Sequence, residues 1–139
     1  MTMTAPLNKQ DFLILREQDV VPFRNQVKEA AVKIGMGILN QTKLITAASE
    51  LVRNLLKYGG GGTAEIETVS NGRENGIRLT FTDKGPGIKD IDLAMKDGFS
   101  TGKSLGLGLP GTKRLVNVFD IKSTVGEGTT VMIIKWKNG

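Results

Sequence analysis

The chain has 139 residues, a formal net charge of +5 and neither cysteine nor histidine. This composition excludes disulfides, thiolate or imidazole metal sites and a Ser-His-Asp triad, so a general base would have to be a carboxylate, a lysine or a tyrosine. An aromatic content of 5% argues against a stacking platform for single-stranded nucleic acid, and no apolar run approaches the roughly 18 residues of a membrane helix. We therefore expect one cytoplasmic domain spanning residues 1–139, with no nucleic-acid and no membrane partner.

The first half of the chain predicts a strand followed by two helices. Weak alternation over Phe12–Arg16 indicates the strand. Asp19 is positioned to cap a first helix over Val20–Ile34, in which apolar residues recur at three- and four-residue steps. A second and more strongly amphipathic helix is predicted over Gln41–Tyr58, and the four glycines Gly59–Gly62 end it.

The second half predicts two hairpins with a glycine-rich segment and helices between them. The first hairpin is predicted to pair Ala64–Ser70 with Ile77–Asp83, and the second to pair Ile121–Val125 with Thr129–Trp136. Between the hairpins, a short helix is predicted over Asp90–Asp97 and a further helix over Leu109–Val118. Hairpins pair neighbouring strands, so the sheet should be mostly antiparallel and the helices should cover one of its faces. The sequence therefore predicts an α/β two-layer sandwich with a mostly antiparallel mixed sheet.

Two known phosphate-binding motifs are nearly present in the glycine-rich segment, and neither has the required context. Gly98–Ser104 resembles a P-loop, but three rather than four residues separate its glycines and an amphipathic helical pattern precedes it. Gly106–Gly111 matches G-x-G-x-x-G, but no strand precedes it and no acidic residue follows at the required distance. The same physics still applies, because Gly102, Gly106 and Gly108 let backbone amides face an anion beside a helix N-terminus. The alternative is a surface loop without a ligand.

A polar stripe runs along the second predicted helix. Glu50, Asn54 and Lys57 are spaced so that they share one side of the helix. A carboxylate, an amide oxygen and an ammonium group could act as a base, a Mg²⁺ ligand and a phosphate contact. Lys43 lies on the same stripe, so a solvated helix face is the alternative.

A third motif follows an apolar strand, where Asp83 is succeeded by Gly85 and Gly87. This pattern is compatible with an ordinary turn. It is equally compatible with a buried acceptor for an exocyclic amine, beside glycines that leave room for a flat base.

Taken together and in chain order, these motifs closely resemble the Bergerat ATP-binding fold of histidine-kinase catalytic domains, Hsp90, type II topoisomerases and MutL. The resemblance extends over about Leu44–Trp136 and includes Gly128–Thr130 near its end. Within this superfamily the chain is similar to the small serine kinases of the anti-sigma-factor type. The stretches that look most like the stressosome switch kinases are Asp97–Thr101, Gly106–Gly111, Lys113–Leu115 and Ile134–Trp136.

The resemblance implies an adenine pocket around the first glycine motif. Asp83 would accept a hydrogen bond from the adenine amino group. Gly85 and Gly87 would let the adenine approach the backbone, and Thr130 would support the same pocket.

The resemblance also implies how the phosphates and the reaction would be handled. Asn54 would hold a Mg²⁺ ion on the phosphates of ATP, Lys57 would be a secondary phosphate contact, and Glu50 would be the general base for a substrate hydroxyl. An ATP lid would wrap the phosphates through Gly102, Lys103, Gly106, Leu107 and Gly108. Lys103 and Ser104 stand where the family pattern has smaller residues.

The function implied is that of an ATP- and Mg²⁺-dependent serine/threonine kinase in a bacterial stress-signalling partner switch. Its substrates would be STAS-domain scaffold and antagonist proteins of the stressosome. After phosphorylating them it would activate a downstream phosphatase or another output enzyme. The alternative is a nucleotide-dependent module of the anti-sigma type that sequesters its partner without catalysis.

Overall fold

The computed structural model describes residues 5–88, 95 and 108–139. In the described part of the chain, five strands and three α-helices are present. The strands are β1 (Ala5–Ile14), β2 (Gly62–Ser70), β3 (Asn75–Asp83), β4 (Val118–Thr124) and β5 (Gly128–Trp136). The helices are α1 (Val20–Lys33), α2 (Ile38–Lys57) and α3 (Gly108–Leu115).

The strands form one sheet in the order β1-β2-β3-β5-β4. Every ladder between the described strands is antiparallel, so the parallel component implied by a mixed sheet is not found among them. Two tight hairpins supply the β2–β3 and β4–β5 pairs, and β5 then pairs with β3 at the centre of the sheet. The predicted two-layer sandwich is confirmed.

The hydrophobic core lies between the helices and one face of the sheet, which we call the helix face. Phe23, on α1, is fully buried, and its ring meets the rings of Phe12 and Phe81 edge-on at centroid distances of 5.5 and 5.7 Å. On α2, apolar residues at three- and four-residue steps face the same core. This packing holds α2 across the sheet, with its C-terminal end close to the end of β3.

The start of the chain differs from its prediction. β1 begins at Ala5 rather than Phe12 and ends at Ile14 rather than Arg16. As an edge strand it carries polar residues that hide the alternation. The predicted helix cap was also wrong, because the Asp19 carboxylate accepts hydrogen bonds from the amides of Leu15 and Arg16, at 3.0 and 3.1 Å, instead of capping α1.

Two helix boundaries differ from their predictions by three residues, and the other helix ends differ by one residue at most. α2 begins at Ile38 rather than Gln41. The apolar pattern missed this first turn because Ile38 and Leu39 are exposed and do not follow the spacing of the rest of the helix. α3 ends at Leu115 rather than Val118, since Val118 already pairs with Ile134 as the first residue of β4. The predicted helix over Asp90–Asp97 lies outside the described residues, apart from Met95.

The opposite face of the sheet, which we call the open face, carries a paired charge. Arg78 donates two hydrogen bonds to the carboxylate of Glu67, at 3.0 and 2.8 Å, across the β2–β3 ladder. These two hydrogen bonds raise the pKa of the Arg78 guanidinium above its ordinary value. None of the described helices has the length and hydropathy of a membrane span.

Candidate active site

The polar stripe of α2 does not face water along its whole length. Glu50 is 4% exposed, Asn54 is half-buried, and Lys57, at the C-terminal end of the helix, is exposed. The Oε2 atom of Glu50 is buried and has no hydrogen-bond partner among the residues that the structure describes. Leaving a buried carboxylate oxygen unpaired costs free energy, so such a group calls for an explanation beyond folding. The solvated-face alternative therefore fails at Glu50.

The two other members of the stripe point toward different surroundings. The Asn54 side chain makes no hydrogen bond within the part of the chain that the structure describes, while its backbone carbonyl accepts from the amide of Tyr58 at 2.9 Å. The Lys57 ammonium lies 5.2 Å from the centroid of the Tyr58 ring. Asn54 thus keeps an amide oxygen available as a ligand, and the phosphate role of Lys57 stays a prediction.

Asp83 is the last residue of β3, and its carboxylate is only half satisfied. Oδ1 accepts hydrogen bonds from the amides of Gly85 at 2.9 Å and Thr129 at 3.3 Å. Oδ2 receives no hydrogen bond from any described residue. The backbone thus fixes the carboxylate by one oxygen and leaves the other as an acceptor.

Glycines bring the end of α2 against Asp83. A Cβ atom on Gly59 would lie 2.5 Å from Cγ of Asp83, and one on Gly85 would lie 2.9 Å from Cα of Gly59. Real Cβ atoms do not come this close to other heavy atoms, so a side chain at either position would force a neighbouring group to move. The structure therefore places the glycines that follow α2 beside the Asp83 motif, although Gly59 and Asp83 are 24 residues apart in the sequence.

The loop that follows Asp83 is held by the β4–β5 hairpin. The Gly126 amide donates to the carbonyl of Pro86 at 2.9 Å, and the Ile88 amide donates to the hydroxyl of Ser123 at 2.7 Å. Gly87 has φ of +79°, and a Cβ atom there would lie 2.5 Å from the carbonyl oxygen of Thr124. These contacts hold the loop in a fixed shape beside Asp83, which we call the cradle, and its role in binding a base stays a prediction.

The comparisons with known proteins identify the family of the chain. The family described as "Histidine kinase-, DNA gyrase B-, and HSP90-like ATPase" matches residues 39–138. The chain belongs to this ATPase family. A buried helix carboxylate and an acceptor at a strand end are compatible with ATP in this fold.

Among its relatives, the "Serine/threonine-protein kinase RsbT" of Bacillus subtilis is 44% identical over 123 residues, which is 88% of this chain and 92% of the relative. An "Anti-sigma F factor" of Anoxybacillus flavithermus is 32% identical over 101 residues and 68% of each chain. The chain is therefore an RsbT-like serine/threonine-protein kinase of the ATPase family, and the predicted family and enzyme class are confirmed.

Solved structures show the same fold at lower identity. The RsbU and RsbW domains of Rv1364c from Mycobacterium tuberculosis match with a TM-score of 0.65 at 20% identity, covering 94% of this chain and 33% of that one. The mycobacterial sensor histidine kinase MprB matches with a TM-score of 0.56 at 18% identity, covering 93% and 97%. These two likenesses concern the fold alone.

Thr130 of the kinase does not lie beside Asp83. Thr130 pairs with Thr82, so both lie on the open face, one position out of phase with the buried Phe81 and Val131. Thr129 lies on the helix face and donates its amide to Asp83. The sequence reasoning missed Thr129, although counting alternate positions from the apolar Val131 back along β5 would have found it.

Most of the predicted lid lies outside the described residues of the kinase, including Gly102, Lys103, Gly106 and Leu107. Gly108 is described as the first residue of α3, with φ of +70°. Its carbonyl accepts a hydrogen bond from the hydroxyl of Thr112 at 2.9 Å. The helix predicted after the glycines is thus present, and the phosphate role of the lid stays a prediction.

Proposed function

We propose that this kinase transfers the γ-phosphoryl group of ATP to a serine or threonine hydroxyl of STAS-domain scaffold and antagonist proteins, in a cytoplasmic stress-signalling switch carried by one domain spanning residues 1–139. The observation that carries the proposal is the buried, unpartnered Oε2 atom of Glu50. A protein that only binds its partner has no use for such a group, whereas a kinase needs a base near the acceptor hydroxyl.

Nucleotide binding is assigned to the cradle around Asp83. Its free Oδ2 atom accepts from the adenine amino group, while Oδ1 is kept in place by the amides of Gly85 and Thr129. Gly87 lets the base lie close to the backbone. Thr129 replaces Thr130 as the residue that supports the pocket, because it shares the helix face with Asp83.

The phosphates are assigned to the end of α2 and to the lid. The side-chain oxygen of Asn54 is the ligand for a Mg²⁺ ion, which when bound would neutralise charge on the phosphate oxygens. Gly102, Lys103, Gly106, Leu107 and Gly108 contact the phosphates, with Lys57 as a secondary contact.

Glu50 acts on the acceptor hydroxyl. The hydroxyl oxygen forms a bond to the γ-phosphorus while the bond from that phosphorus to the bridging oxygen of ADP breaks. The hydroxyl proton passes to the Glu50 carboxylate, one helical turn before Asn54, and ADP leaves. The products are ADP and a phosphoserine or phosphothreonine on the partner.

After the transfer, the kinase leaves its phosphorylated partner and activates a downstream phosphatase or another output enzyme. A nucleotide-dependent module that sequesters its partner without chemistry is the second candidate. The similarity to an anti-sigma F factor favours this candidate, and the unpartnered Glu50 carboxylate favours the kinase.

The test is incubation with Mg-ATP and a panel of STAS-domain proteins, followed by intact-mass analysis for an added phosphate. We expect the wild-type kinase to phosphorylate at least one of them. Glu50→Ala should keep ATP and partner binding but stop the transfer, whereas Asn54→Ala should weaken Mg-ATP binding as well. Tight binding of a STAS protein without phosphate transfer to any of them would favour the sequestering module.

A further inference from the structure

Ser123, on β4, is the centre of a hydrogen-bond network between the loop after Asp83 and the β4–β5 hairpin. Its Oγ atom lies 2.7 Å from the Ile88 amide nitrogen, 3.1 Å from the Gly128 carbonyl oxygen and 2.7 Å from the Thr129 hydroxyl oxygen. The amide can only donate and the carbonyl can only accept, whereas the Thr129 hydroxyl can do either.

These partners determine where the two hydroxyl protons lie. Ser123 has one proton, and giving it to the Gly128 carbonyl satisfies that contact. The Thr129 hydroxyl must then donate to Ser123, because two oxygens 2.7 Å apart need a proton between them. In the reverse arrangement, Ser123 would face the Gly128 carbonyl at 3.1 Å with no proton in between.

The proton positions decide what Thr129 presents to the nucleotide site. Ser123 pairs with Thr129 across the β4–β5 ladder, so both lie on the helix face together with Asp83. With its proton directed to Ser123, the Thr129 hydroxyl has only lone pairs left for other groups. Asp83 Oδ2 is also an acceptor, so the two oxygens near this end of β3 form an acceptor-only wall.

We propose that Ser123 is a positioning residue for purine selectivity: by holding the Thr129 proton, it keeps this wall acceptor-only and so favours 6-amino over 6-oxo purine nucleotides. The inference rests on the proposed ATP site. An amino group donates to such a wall, whereas the O6 atom of a 6-oxo purine would meet acceptors without a proton. Without Ser123, the Thr129 hydroxyl could turn and donate to O6.

The experiment compares the affinities of Mg-ATP and Mg-ITP, which differ at position 6 of the purine, by calorimetry. Wild type should prefer ATP, and Ser123→Ala should reduce the ATP-to-ITP affinity ratio by roughly 3- to 10-fold, the range of one hydrogen bond. Ser123→Thr keeps the hydroxyl and should keep the ratio. Thr124→Ala is the matched control, because the Thr124 side chain lies on the open face and the substitution keeps the backbone carbonyl that lies against Gly87.

The ratio separates positioning from a merely structural role. Loss of the Ile88 contact in Ser123→Ala could loosen the loop, but it would weaken both nucleotides alike and leave the ratio unchanged. An unchanged ratio would therefore overturn the inference, as would a wild type that binds ATP and ITP equally, while ATP binding itself stood. A wild type that does not bind ATP would overturn the proposed function as well.

Discussion

Two buried carboxylates, Glu50 and Glu67, lie on opposite sides of the sheet in very different surroundings. Glu67 is 8% exposed and takes two hydrogen bonds from Arg78 on the open face. Glu50 is 4% exposed in the helical layer, and no described residue forms a hydrogen bond with its Oε2 atom. The comparison teaches that burial alone does not define a role: a paired carboxylate is accounted for by stability, and an unpaired one points to a reaction.

The largest expected effect is on the rate of the Glu50→Gln variant. Phosphate transfer should fall by about 10²–10⁴-fold, the usual contribution of a general base. The free energy of unfolding should stay nearly constant, because Oε2 has no hydrogen bond from the described residues that the substitution could break. Initial rates of phosphate transfer and chemical denaturation of the same preparations test both halves. A variant that transfers phosphate at the wild-type rate would remove the contrast with Glu67.

The second-largest effect is expected at Asp83. One oxygen of its carboxylate accepts hydrogen bonds and the other receives none from the described residues, so Asp83 is intermediate between Glu67 and Glu50. Asp83→Ala should weaken ATP binding by about 1–3 kcal/mol, because the adenine amino group loses its acceptor in a partly buried site. Calorimetry with Mg-ATP measures this loss. Equal affinity in the variant and the wild type would place the adenine elsewhere.

Glu67→Gln is the mirror experiment to Glu50→Gln. Replacing one partner of the ion pair leaves Arg78 with a weaker acceptor and should lower the free energy of unfolding by about 1–3 kcal/mol. The rate per folded molecule should not change, because Glu67 lies on the open face. If activity fell while the protein stayed folded, the division between the two faces would be wrong.

Gly59→Ala tests whether the end of α2 sets the position of Asp83. The added methyl group would lie 2.5 Å from Cγ of Asp83, so the carboxylate must move, and ATP affinity should fall by roughly 10-fold, about one hydrogen bond. Gly37→Ala is the matched control, because nothing lies within 4 Å of its added Cβ atom. Equal ATP affinities for the two variants would show that Asp83 is positioned from β3 alone.

The smallest effect is expected at Asp19, an exposed carboxylate satisfied by two backbone amides. The amides of Leu15 and Arg16 lower its pKa below the usual aspartate value. The stabilisation is therefore complete above that usual value and is lost as the pH falls through the lower pKa of the folded state. Asp19→Asn should melt slightly below the wild type at neutral pH, and melting curves recorded across the acid range should converge.

Much of the fold followed from local pattern. Three- and four-residue apolar spacing indicated α1 and α2, and glycine-containing turns indicated the two hairpins. Where local pattern was weak, the boundaries shifted: β1 is an edge strand with polar residues, and the exposed Ile38 and Leu39 hid the first turn of α2. Both cases have the same physical reason, since an element that buries little leaves little periodicity in the sequence.

By itself, the sequence determined the residue types of the site and their order along the chain, because helix and turn spacing are local properties. It placed Glu50 and Asn54 on one side of a helix and Asp83 at the end of a strand. Only the tertiary structure decided that Glu50 is buried without a partner, that Gly59 packs against Asp83, and that Thr129 rather than Thr130 shares its face. Those facts depend on strand pairing and packing between distant segments, which no local spacing encodes.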